Sequence, residues 1–550
     1  MKLPSISSWT TCLLVAITAA NATLISSAHT SKSTDLAARN SPHAGFRNVG
    51  YYGDWKTYKN FSASDIPAER YTHLIYSFAK VDKNTGEVLL SDEYADLEKH
   101  FPGDLWDGKS NAYGEIKQMY LLKKKNRSLK TLLSIGGYTY SQEGQFEPML
   151  ASELTRSTFA WSAVQKMFDL GFDGLSLDYE YVSSPVECHQ MIDLLKKIRT
   201  AMESYAKSTN SAPFIISYAS PAGAKNYQHL DMPAMDKYID QWDFMAYDYA
   251  GAWDTTSGHS SNLFANAENP SHTPFNTESA VDYYINLGKI APGKINLGLP
   301  LYGHVFVQTK GPGNDYDKAA SLQEGDKGSF LYKDIPSAAN IVELPELGAS
   351  YSYDAGKEYM VSYDTPNIAR QKAKWIKEKG LGGAMFWEVS GDKTGDDSLV
   401  ATVVKELGKL EKSKNHLSYP ESQYENIKSG MKGEGEKFHA QDVGREDDEP
   451  AEPASQKAEE SKATTTRPEP FIDDAVEVDD KEGNQEEGTE EDEEEGSDEK
   501  RNQQAHDSNS SPIFNTSKNS AKKSASCTHL APTVGQFGAT VAGTILIFLL

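Results

Sequence analysis

The sequence predicts an α/β fold, a (β/α)8 TIM barrel with a small α+β insertion between strands seven and eight, followed by a disordered acidic C-terminal tail. Three observations predict it. Short apolar runs punctuated by Gly and Pro recur eight times between residues 44 and 431, and amphipathic stretches separate several of them. One late connection is far longer than the others, and the composition changes abruptly after Met431. Eight buried strands alternating with helices are what a closed parallel barrel requires.

The expected strands are residues 48–52, 73–79, 131–135, 174–178, 214–219, 242–246, 295–299 and 383–387. Helical periodicity falls at 114–125, 155–170, 186–207 and 367–379. The interval 302–381 exceeds an ordinary connection. Its β-like pieces at 328–332, 349–353 and 358–363 predict an inserted subdomain, over about residues 304–365, that walls the barrel mouth.

Both ends carry address signals. Residues 9–20 are apolar, follow Lys2 and lead into Ala20-Asn21-Ala22. This predicts a signal peptide over residues 1–22, too short to span a membrane, and then a loose leader over 23–43. Residues 533–550 are apolar and uncharged, behind a polar spacer and the small triplet Asn519-Ser520-Ala521. That order predicts a glycosylphosphatidylinositol signal, with Asn519 or Ser524 as the attachment site and residues 527–550 as the tail to be removed. The expectation is a secreted, extracellular protein, tethered to the plasma membrane or cell wall by a lipid anchor.

The net charge of −24 is local. Residues 431–500 hold 27 acidic and 8 basic residues, a balance of −19, which leaves only −5 for the remainder. Residues 432–526 have too little apolar surface to offset their ordering entropy, and are expected to form a disordered, self-repelling stalk. No basic footprint exists for nucleic acid. The cysteines are Cys12, Cys188 and Cys527. Processing removes or isolates the first and last, so Cys188 is expected to be a buried thiol in a monomer without disulfides. The 13 His residues show no metal-ligand spacing such as His-Glu-x-x-His, so no cofactor is expected. Glycosylation sequons occur at Asn60, Asn126, Asn509 and Asn515.

Residues 173–180 read Asp-Gly-Leu-Ser-Leu-Asp-Tyr-Glu. On a strand, Ser176, Asp178 and Glu180 share one face while Leu175 and Leu177 take the other. The first face looks into the barrel, with Glu180 at the C-terminal rim where such barrels keep their active sites. Two buried carboxyls this close cannot both ionise freely, so one titrates high. A raised Glu suits a general acid near neutral pH.

The segment resembles the Asp-x-x-Asp-x-Asp-x-Glu signature of glycoside hydrolase family 18. Further motifs carry the same resemblance, over residues 44–431. They are Ser134-Ile135-Gly136-Gly137, Met245-Ala246-Tyr247-Asp248, Gly298-Leu299-Pro300-Leu301-Tyr302-Gly303 and Gly382-Gly383-Ala384-Met385-Phe386-Trp387-Glu388. Residues 251–275, 417–420 and 426–431 are similar to those of fungal secreted endochitinases of class V type. The resemblance implies an endochitinase that cleaves β-1,4 bonds between N-acetylglucosamine units by substrate-assisted retention. It implies Glu180 as acid, Asp178 as partner of the substrate acetamido group and Tyr247 as donor to its oxygen. Tyr51, Gly136, Gly137, Tyr138, Thr139, Tyr181, Met245, Asp248, Tyr302 and Trp387 are implied to bind chitin or chitooligosaccharide. Two other readings keep the barrel: a chitin-binding lectin with weak or no catalysis, and an endo-β-N-acetylglucosaminidase acting on N-glycans. Glu180, which such lectins usually lack, favours an enzyme, and the mouth-walling insertion favours a linear polymer.

Three positions depart from the family pattern. Ser176 replaces the middle Asp, Tyr138 a common Trp, and His304 a common Arg. In the family, the middle Asp shares a proton with the residue matching Asp178, assisted by those matching Tyr51 and Ser134. Losing that like charge should let Asp178 ionise more easily, and its charge should keep Glu180 protonated.

Overall fold

The computed structural model describes residues 45–104, 110–337 and 340–432. The signal peptide, leader, acidic stalk and anchor signal, with Asn509, Asn515, Asn519 and Ser524, lie outside the described residues.

Fourteen strands form in these residues. They are β1 (Arg47–Gly53), β2 (His73–Val81), β3 (Val88–Leu90), β4 (Lys130–Gly136), β5 (Gly174–Asp178), β6 (Ile215–Pro221), β7 (Gln241–Met245) and β8 (Ile295–Pro300). They continue with β9 (Tyr302–Val307), β10 (Ser329–Leu331), β11 (Ile341–Leu344), β12 (Ala349–Asp354), β13 (Tyr359–Ser362) and β14 (Gly383–Trp387). One sheet runs β1-β14-β8-β7-β6-β5-β4-β2-β3, and β1 pairs with β2 to close it. Eight of these strands are parallel, and each contains or overlaps one of the eight expected runs. The (β/α)8 barrel is therefore present. β3 is an antiparallel addition to β2 that the sequence reading missed.

The alternation of side chains explains the closure. Leu175, Leu177, Ile216, Tyr218, Trp242 and Phe244 face outward and bury against the helices in the main core. Val49, Tyr51, Ile75, Leu132 and Met385 fill the lumen. The helices start where their caps dictate. Ser184 accepts from the Glu187 amide ahead of helix Pro185–Ser208, and Thr365 accepts from the Ile368 amide ahead of helix Pro366–Lys379, each with Pro in the first turn. Cys188 is a buried free thiol whose sulfur takes the Asp231 amide at 3.1 Å, in line with a packing role. Among the described residues no helix is long and apolar enough to cross a membrane.

Between β8 and β14 lies a five-stranded antiparallel sheet ordered β10-β9-β13-β12-β11. Three of its strands match the predicted pieces. β9 and β11 were not anticipated, and β9 starts only two residues after β8 ends, so the insertion extends directly from a barrel strand.

Candidate active site

A cleft of about 1020 Å³ opens at the C-terminal ends of the barrel strands, and Asp178 and Glu180 both line it. Asp178 ends β5, and the chain has turned out of the strand before Glu180. Strict alternation therefore stops at Asp178, yet both carboxyls reach the cleft and are hydrogen-bonded to each other. Their exposures are only 3% and 7%.

Burial holds the Asp178 carboxyl well above the usual range, and the charges of Glu180 and Asp243 add to this. Glu180 is pushed up to about 7, chiefly by burial; a hydrogen bond with Tyr181 opposes the rise and the charge of Asp248 adds to it. The pair thus shares a proton and titrates as a unit. Two influences that the string around Ser176 does not show act against ionisation of Asp178: burial, which dominates, and the negative charge of Asp243.

The backbone of the pair is held by a short helix, Tyr138–Gln142. The Ser141 hydroxyl accepts from the Glu180 amide at 2.9 Å and donates to the Gly137 carbonyl at 2.8 Å. The Gln142 amide donates to the Glu180 carbonyl at 2.9 Å. Two glycines allow this approach. Gly136 and Gly137 sit at φ +117° and +95°; a Cβ would fall 2.3 Å from the Asp178 carbonyl oxygen at the first and 2.8 Å from the Phe78 ring at the second.

Aromatic rings make one face of the cleft. Trp387, ending β14, has its ring centroid 5.5 Å from Tyr51, 5.8 Å from Phe78 and 6.4 Å from Trp55. Tyr247 packs beside this group, its hydroxyl 3.8 Å from the Met385 sulfur. Asp248 takes the left-handed conformation, at φ +59°, which Asp tolerates better than most residues. Its Oδ1 accepts from the Tyr302 hydroxyl at 2.5 Å and lies 2.8 Å from His304 Nε2.

A second cavity, of about 1120 Å³, lies at the opposite end of the barrel around Arg47, Lys130, Arg199, Asp240 and Glu411. Its charges form ion pairs, Lys130–Glu411 at 2.9 Å and Arg199–Asp240 at 2.5 Å. It is the charged base of the barrel, away from the Asp178–Glu180 pair. Among the described residues no group of acidic, His and Cys side chains could hold a metal ion.

The profile of the glycosyl hydrolases family 18 matches residues 47–392, the whole closed barrel and its insertion. The chain belongs to this family. Chitinase 1 of Aphanocladium album is 44% identical over 392 residues, covering 70% of this chain and 92% of that protein. Endochitinase 1 of Metarhizium robertsii is 41% identical, covering 71% and 92%. The catalytic domain of a psychrophilic chitinase B from Arthrobacter TAD20 superposes with a TM-score of 0.61 at 25% identity, covering 68% of this chain and 98% of that domain.

In this family 18 hydrolase, the cleft collects Tyr51, Gly136, Gly137, Tyr138, Thr139, Asp178, Glu180, Tyr181, Met245, Tyr247, Asp248 and Trp387. Of the site residues expected in the cleft, only Tyr302 does not line it; it stands behind Asp248 and holds it. The insertion does not wall the cleft with its own residues. It buttresses the loop after β7, where the Tyr316 hydroxyl donates to the Asp254 carbonyl at 2.8 Å and Lys318 to the Trp253 carbonyl at 3.3 Å. The cleft also contains Trp55, Phe78, Trp253 and Phe275, which the motifs did not single out. Asn60 is exposed, whereas Asn126 is half-buried and donates to the Ala68 carbonyl at 3.0 Å.

Proposed function

We propose that this family 18 hydrolase is an endochitinase that works by substrate-assisted retention, with Glu180 as general acid. The buried, mutually hydrogen-bonded Asp178–Glu180 pair beside an aromatic face carries this reading. Glu180 gives its proton to the glycosidic oxygen as the C1–O bond breaks. The N-acetyl carbonyl oxygen of the same sugar attacks C1 and forms an oxazolinium ion. Asp178 accepts from the acetamido N–H and stabilises the developing charge, and Tyr247 donates to the acetamido oxygen. Asp248 binds nearby sugar polar groups, and Trp387 supports the apolar face of the sugar. Water then attacks C1, the oxazolinium C1–O bond breaks to restore the acetamido group, and the proton lost by the water returns to Glu180.

Incubating the protein with a soluble N-acetylglucosamine oligomer and following products by proton NMR tests this. The β-anomer should form first. An initial α-anomer would overturn retention, and binding without cleavage would favour a lectin. The acid must be protonated, and the Glu180 carboxyl sits at about 7. Hydrolysis measured as kcat/KM should therefore fall as pH rises through about 7. A flat profile through neutrality would contradict the assignment.

Secretion and surface attachment through the C-terminal lipid signal complete the proposal, supported by the order of small triplet, spacer and apolar end. Phosphatidylinositol-specific phospholipase C should release the protein from membranes. A mature protein that still contains Leu550 would sink this part.

A further inference from the structure

The mechanism above leaves one buried carboxylate unused. Asp243, on β7, is fully buried in the barrel lumen. Its Oδ1 accepts from Asn296 Nδ2 at 2.7 Å, and its Oδ2 accepts from the Ser217 hydroxyl at 2.8 Å and from Gln241 Nε2 at 3.4 Å. The Ser217 and Ser176 hydroxyls are 2.9 Å apart, and Ser176 is 3.4 Å from the hydroxyl of Tyr51, which lines the cleft. Behind Asn296 stands Arg47, whose Nε donates to Asn296 Oδ1 at 2.8 Å. A continuous polar file thus runs from Arg47 through Asp243 to the floor of the active site.

Proton counting ties the file to Asp243. Ser217 has one hydroxyl proton and two oxygens in reach. An ionised carboxylate can only accept, so Ser217 donates to Asp243. The Ser217 hydroxyl is also placed to donate to Ser176 Oγ at 2.9 Å, so Asp243 and Ser176 compete for its one proton, and the contact of Ser176 with Tyr51 can run either way. By drawing the Ser217 proton to itself, the negative charge on Asp243 couples the hydroxyls of Ser217, Ser176 and Tyr51. Position 176, where the family signature has an Asp, here passes on a charge held two barrel strands away.

We propose that Asp243 is a positioning residue for catalysis: acting through Ser217 and Ser176 it orients the Tyr51 hydroxyl beneath the cleft, and it supplies the buried negative charge that Ser176 lacks. This rests on the substrate-assisted reading of the Asp178–Glu180 pair. The charged and titratable groups facing Asp243 are Arg47 and Tyr51 from β1 and Asp178 from β5, with Glu180 beyond it. The neutral groups bonded to it are Ser217 on β6, Gln241 on its own strand and Asn296 on β8. The charge of Asp243 contributes to holding both Asp178 and Tyr51 in their protonated forms.

The test uses the full-length protein on a soluble chitin oligomer, with kcat and KM measured across an acid-to-neutral pH series. Asp243→Asn should lower kcat by about tenfold and leave KM within about twofold. Removing the negative charge eases ionisation of Asp178, so the acidic limb of the profile should move to lower pH. Adding Ser176→Asp to that variant should recover most of kcat and move the limb back up. Wild-type kcat and an unmoved limb in Asp243→Asn would overturn the proposal. A loss that Ser176→Asp does not rescue would also overturn it, because Asp243 would then merely anchor Asn296 and Arg47. If Asp243→Asn does not fold, Ser217→Ala decides the matter, since it cuts the file and leaves the charge. Its kcat should fall several-fold, and an unchanged kcat would overturn the proposal. A wild-type protein that does not cleave the oligomer defeats the functional reading itself. An active wild type with an unaffected Asp243→Asn defeats only this inference.

Discussion

Replacing Glu180 with Gln should lower kcat on a chitin oligomer by about 10²–10⁴-fold. The substitution keeps the shape of the side chain and its capacity to bond Asp178 and Tyr181, but removes the proton that sits at about pH 7. The aromatic face formed by Trp387, Phe78 and Trp55 is untouched, so oligomer affinity should stay within about threefold, as expected when only a transition-state interaction is lost. Single-turnover kinetics with titration calorimetry separate the two quantities. Wild-type turnover in the variant would transfer the acid role to another residue, and a parallel collapse of affinity would mean that Glu180 mainly binds sugar.

The second large effect concerns stability. Asp173 heads the signature that ends in Glu180, yet it works at the other end of β5. Its Oδ2 accepts from the Thr131 amide at 2.7 Å and pairs with Lys123 at 2.8 Å, while its Oδ1 accepts from the His416 amide at 2.6 Å. Lys123 is fully buried, and also donates to the Gly171 carbonyl at 2.7 Å and the Tyr419 hydroxyl at 2.8 Å. Asp173→Asn leaves that ammonium without a countercharge, which should cost about 3–5 kcal/mol. For a domain of this size, that lowers Tm by about 4–6 °C. Burial already pushes the Lys123 ammonium down. A depressed lysine sheds its proton more readily folded than unfolded, so the deficit should shrink as pH rises. Calorimetry at several pH values measures both effects. An unchanged Tm, or a loss of kcat at a temperature where the variant is folded, would show that Asp173 has been assigned to the wrong end of the barrel.

The barrel was legible in the sequence because its strands bury both faces and its helices bury one, which imprints short apolar runs and a helical period. The carboxyl pair was legible because Asp178 and Glu180 are two residues apart. What stayed hidden depends on distant parts of the chain. No spacing rule connects Ser176, Ser217 and Asp243, which meet only when three strands curl around one lumen. β9 and β11 are only six and four residues long, and neither carries a long apolar run. Trp55 lies in a short 3-10 helix after β1 and Phe78 within β2, where an aromatic residue reads equally well as packing. The same limit applies at Ser176. The local string shows a lost carboxylate, and only the fold shows that Asp243 stands nearby.

The pairing of β1 with β14 has a consequence for how the protein is made. β1 lies between β14 and β2, so one edge of the first strand stays bare until residues 383–387 have been synthesised. The base closes later still. The Glu411 amide donates to the Phe46 carbonyl at 2.9 Å, His416 reaches Asp173, and Asn426 accepts from the Ala112 amide at 3.0 Å. Pairings of such long sequence separation form slowly, and an unpaired edge invites other chains. The growing polypeptide therefore passes most of its translation as an open, adhesive sheet. A chain cut short of Met431 should emerge as a substrate for chaperones and proteases, and shortening from this end will not yield a smaller barrel.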